Sequence, residues 1–64
     1  MSDFKDRLLT EKKELDEKRG KLESFLQTDA FKKIEAQQRG LLYIQSHVMA
    51  SYSQVLTQRI TLLG

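Results

Sequence analysis

The sequence predicts an all-α fold: an antiparallel two-helix hairpin with a short helical corner, assembling as a homo-oligomeric helical bundle. Three observations carry this. Leu41, Val48, Val55 and Leu62 recur every seven residues, and Leu42, Met49, Leu56 and Leu63 recur one position later. That apolar stripe of helical period is too long and too regular for a strand. A second, narrower stripe of Phe4, Leu8, Leu15, Leu22, Phe25 and Leu26 runs through a Lys- and Glu-rich segment. Finally, 64 residues with no Cys bury little core and allow neither a disulfide nor a thiolate metal site, which leaves oligomerisation as the staple.

The first helix is expected over residues 3–27. Ser2 is a candidate N-cap, with Asp3 and Asp6 favourable in the first turn. Glu11 and Lys18 narrow its apolar stripe, while Glu14–Lys18 and Glu17–Lys21 are spaced as exposed ion pairs, each contributing a few tenths of a kcal/mol. Gly20 costs about 1 kcal/mol relative to Ala, as does Gly40 later in the chain; close backbone approach and simple tolerance both explain them.

Thr28 and Asp29 end that helix and can cap a helical turn within a corner at 28–35. Phe31 and Ile34 are expected to plug the open end of the hairpin with Leu26. The chain must reverse there, because two separate helices would leave both stripes in water. The second helix is expected over 36–63, and the whole of 1–64 reads as a single domain. The expected core is Leu8, Leu15, Leu22, Phe25, Leu41, Val48, Val55 and Leu56, so Asp in place of Leu15 or Val48 should unfold the chain.

Charge divides the chain. Residues 1–35 hold nine Lys/Arg and nine Asp/Glu, whereas residues 36–64 hold no acid and carry the entire net charge of +2 through Arg39 and Arg59. That excess is small for duplex nucleic acid, where several phosphates are neutralised at once, and suits a small anion or a partner surface. Interface cores are depleted in charge, so the uncharged helix is expected inside the oligomer and the charged one outside. No apolar run approaches the roughly 20 residues that span a bilayer, and Lys5, Asp6 and Arg7 interrupt any signal-peptide pattern. The expected compartment is the cytoplasm of the cell that makes the protein.

Nothing points to an enzyme. Gly-rich phosphate loops and metal-ligand clusters are missing, and the single His47 has Ser51 a turn away but no acid to orient its ring. No cofactor and no metal are expected. The candidate ligand-binding residues are Arg39, Tyr43, Gln45, His47, Tyr52 and Arg59. Tyr52 and Arg59 lie within the apolar stripe, two turns apart. They read either as a packed ring and a snorkelling cation, or as a pocket between protomers in which a ring stacks on a base and a guanidinium forks onto phosphate. Tyr43 and His47, with Ile44 beside them, project away from the stripe as a candidate second interface; scattered surface residues are the plainer explanation.

Phe31-Lys32-Lys33-Ile34, then Gln38, Leu41-Leu42, Gln45, His47, Met49-Ala50, Tyr52, Leu56 and Arg59-Ile60, resembles small bacteriophage hairpin proteins grouped as crAss-like-phage related, as does Lys21-Leu22-Glu23-Ser24-Phe25-Leu26. That grouping supplies no binding or catalytic residues. In size, hairpin form and acid-free helix, the chain also resembles phage cyclic-nucleotide sponges of the anti-CBASS type. This likeness implies an anti-defence protein that sequesters a cyclic di- or trinucleotide immune messenger without cleaving it. The competing implication is a non-enzymatic inhibitor or adaptor that binds a host defence protein.

Overall fold

A computed structural model describes residues 3–64, so the expected cap at Ser2 lies outside the described residues. Three helices follow in order: α1, Asp3–Leu26; α2, Asp29–Lys32; and α3, Ala36–Leu62. The two long helices pack against each other in an antiparallel hairpin measuring 48 × 14 × 13 Å. Its open end is tied where Lys5 Nζ donates to the Gly64 carbonyl at 3.2 Å.

The corner is built by side-chain capping. The amides of Gln27 and Thr28 bond back to the carbonyls of Ser24 and Phe25, tightening the last turn of α1. Thr28 is extended at φ −92° and ψ 159°, and its hydroxyl accepts from the Phe31 amide at 3.2 Å while donating to the Phe25 carbonyl at 2.7 Å. That cap turns Phe31 inward to 4% exposure. The Phe31 ring meets Phe25 and Tyr43 edge-to-face, at centroid separations of 5.9 and 5.3 Å. Ile34 and Leu26, expected to plug the same end, are half-buried. A fresh helix starts at Glu35, whose carbonyl accepts from the Arg39 amide at 3.0 Å.

The buried seam differs from the expected core. Leu8 and Leu56 are buried, and Leu15, Leu22 and Phe25 are half-buried. Leu41, Val48 and Val55, however, stand 58, 60 and 51% exposed. Instead α3 turns Leu42, Ser46, Met49, Ser53, Leu56 and Ile60 toward α1. These recur at alternating steps of three and four, the seam of an antiparallel helix pair. The reason is polar as well as apolar. Ser53, 5% exposed, donates to Asp16 Oδ1 at 2.6 Å and accepts from Lys12 Nζ at 3.2 Å, which sets the rotation of α3 about its axis. In a single hairpin Val48→Asp therefore places a carboxylate in water, and unfolding of the hairpin is no longer expected from it.

Two smaller expectations are also revised. The ion pairs on α1 are Lys12–Asp16 at 2.6 Å and Arg19–Glu23 at 2.9 Å, not Glu14–Lys18 or Glu17–Lys21. A Cβ added at Gly20 or Gly40 would meet nothing within 4 Å, so neither glycine serves a close approach within the chain.

Candidate functional site

The six candidate residues do not form one site within a single chain. One residue advances about 100° around a helix. That spacing puts Gln45, Tyr52 and Arg59 along one side of the buried seam, and Arg39, Tyr43 and His47 in a row along the other. The seam residues Leu42, Met49, Ser53 and Leu56 lie between the two sets.

The first set borders the bare apolar stripe. Gln45, Tyr52 and Arg59 are all exposed, and beside them stand Leu41, Val48, Val55 and Leu62, with Ile44 at the edge. Ile44, with Val48 four residues on and His47 three residues on, lies between the stripe and the Tyr43–His47 row. The Arg59 guanidinium sits 6.0 Å from the centroid of the Phe4 ring of α1, a cation–π contact. Among the described residues it has no carboxylate partner. The stripe and its polar border therefore offer apolar area, an aromatic face, an amide and an unneutralised cation, with no acid from Ala36 onward to repel an anion.

The second set is braced by the corner. Phe31 holds the Tyr43 ring edge-on while half of Tyr43 stays exposed. Arg39, one turn back, is half-buried, and its Nε is buried with no hydrogen-bond acceptor among the described residues. His47 continues the row and is exposed. This surface can take a partner through a fixed ring and a cation, but Arg39 is too sunken to match Arg59 as a reaching group.

Sequence reasoning passed over Ser53, Asp16 and Lys12. Their network has the residue types of a Ser–Lys pair, yet the hydroxyl is buried between two helices and already donates to a carboxylate, so it is a packing device rather than a nucleophile. Lys12, and then Ser53, hold the Asp16 carboxyl below the usual carboxylate range. A small residue at seam position 53 facing a charged pair was the signal available. No group of His, Asp and Glu able to hold a metal occurs among the described residues. Nor is any helix there long and apolar enough to cross a membrane.

A family model described as Sequestin matches residues 2–62, almost the full length, and the chain belongs to that family. No curated protein and no solved structure matches it. The family name denotes sequestration, a binding role rather than catalysis. It fits the resemblance to sequestering phage proteins and has no bearing on the crAss-like grouping.

Proposed function

We propose that this member of the Sequestin family is a phage anti-defence protein that binds a cyclic oligonucleotide immune messenger in the host cytoplasm and withholds it without cleaving it. The observation that carries this reading is the alignment of Gln45, Tyr52 and Arg59 on one exposed border of an acid-free helix, with Arg59 unpaired among the described residues. A guanidinium can fork onto a phosphate, a tyrosine ring can stack on a base, and an amide can read a base edge. Sequestration needs affinity and no reacting group, which suits a chain whose buried Ser53 hydroxyl is locked in a seam.

The protein acts as a homo-oligomer. Among the described residues only Leu8, Phe31, Leu56 and Ser53 are buried, a small core for a chain that has no disulfide. Further apolar burial between copies supplies the stability that one hairpin lacks.

A second reading rests on the corner. The Phe31-braced Tyr43, in one row with Arg39 and His47, suits a protein partner, and there the chain would act as an inhibitor or adaptor on a host defence protein. Titration calorimetry against a panel of cyclic di- and trinucleotides separates the two. Binding heat from one of them supports sequestration; no heat from any, with the oligomer intact, removes it and leaves the protein partner.

A further inference from the structure

The apolar stripe of α3 is bare in a single chain, and it reads the same in both directions. Leu41, Val48, Val55 and Leu62 form a Leu–Val–Val–Leu series whose midpoint falls between Ser51 and Tyr52. We propose that a second copy of the chain covers this stripe in an antiparallel pairing about that midpoint, and that the pairing completes a two-fold groove in which Gln45 of each copy stands beside the partner's Arg59. The groove deepens the sequestration reading above and rests on it; the pairing itself does not.

Three features of the molecule select a second copy as the occupant. The first is the palindrome: antiparallel packing sets each Leu41 against the partner's Leu62 and each Val48 against the partner's Val55, so every apolar side chain meets one of its own kind. An isologous interface requires such self-complementarity. The second is charge. Arg59 is the one side chain of α3 at the stripe's border that carries a charge at neutral pH, and the antiparallel register keeps the two copies of it about 22 Å apart at 1.5 Å per residue. Parallel pairing would set them side by side.

The third is area. The chain exposes 5106 Å², whereas a folded monomer of its 7.5 kDa presents about 4250 Å². The excess, on the order of 850 Å², is close to the roughly 800 Å² per partner that a standard interface buries.

The two-fold operation also decides where the polar border goes. Its axis runs perpendicular to the plane of the paired α3 helices, so the borders of both copies lie on the same side of the pair, along with both α1 helices. Gln45, Tyr52 and Arg59 of the two chains then line one groove. The Tyr52 rings sit at its centre, and a Gln45 with the partner's Arg59 sits about 10 Å to either side. Such a groove fits a ligand made of two like halves, each with a phosphate and a base. One hairpin alone holds only half of it.

Thiol cross-linking tests this directly, because the chain has no cysteine of its own. Gln45→Cys and Arg59→Cys are prepared singly and treated with a short bis-maleimide, alone and after mixing. Expected is a covalent dimer only in the mixture, since like positions lie about 20 Å apart in the antiparallel pair. Cross-linking of either variant with itself, as in a parallel pair, overturns the proposal, as does no cross-link in any sample.

Light scattering on the unmodified chain should give a multiple of twice the 7.5 kDa chain mass. A 7.5 kDa species alone at micromolar concentration also overturns the proposal. Val48→Glu should shift the protein toward monomer, and Val48→Glu with Val55→Lys in one chain should restore the dimer by placing Glu against Lys twice. Calorimetry with cyclic di-AMP and cyclic GMP–AMP is run on the same preparations. Heterospecific cross-linking without heat from either supports the pairing and counts against the ligand alone.

Discussion

Ser53 Oγ of α3 donates a 2.6 Å hydrogen bond to Asp16 Oδ1 of α1, and this contact joins the two long helices near their middle. Lys12 closes the network, bonding Asp16 at 2.6 Å and Ser53 at 3.2 Å. Removing the hydroxyl leaves Asp16 with one donor fewer at a packed seam. Ser53→Ala should destabilise the hairpin by about 1 kcal/mol, measured as a lower urea midpoint with unchanged slope.

The same network carries a pH dependence. The Asp16 carboxyl is held below its usual range by Lys12 first and Ser53 second. A depressed folded-state value means that its contribution is present above the unfolded-state value and is lost as pH falls through the folded one. The hairpin should therefore weaken as pH drops from about 4 downward. Asp16→Asn should be less stable than the parent near neutrality, and the difference should vanish in strong acid. Urea melts at both ends of the range check this; an equal gap at both would assign the effect to packing instead.

Gly20 and Gly40 each lie inside a helix with open space where a Cβ would stand. Gly20→Ala and Gly40→Ala should each stabilise the protein by up to about 1 kcal/mol. Thermal melts that fall rather than rise would show that one of these glycines serves a contact between copies.

Phe31 plugs the corner between Phe25 and Tyr43 at 4% exposure. Phe31→Ala should cost about 3 kcal/mol through lost burial and the cavity left behind. Loss of the hairpin, read as reduced far-ultraviolet helical signal at modest urea, is the expected result.

Arg59 and Tyr43 lie on opposite sides of the seam, so their variants separate the two functional readings. Arg59→Ala should abolish nucleotide binding in calorimetry, and Tyr43→Ala should leave it intact. The reverse pattern would move function to the corner face, with Arg39 and His47.

The all-helical class and the packing of two long helices were legible in the residues alone, because apolar spacing at helical period leaves no other way to cover both stripes. Thr28 as the cap of a corner turn was legible for a similar reason, since a hydroxyl before Asp29 is a local signal that needs no distant partner. Which stripe of α3 meets α1 was not. Leu41-Val48-Val55 and Leu42-Met49-Leu56 are equally apolar neighbours on one helix, and periodicity cannot rank them. Tertiary packing decided it. Small Ser53 lets α3 approach Lys12 and Asp16, and their hydrogen bonds fix its rotation, burying Leu42, Met49 and Leu56 partly or fully while Leu41, Val48 and Val55 stay exposed on the single hairpin. The division of the six candidate residues into two faces follows from that same rotation, which depends on contacts between residues 37 and 41 positions apart in the chain.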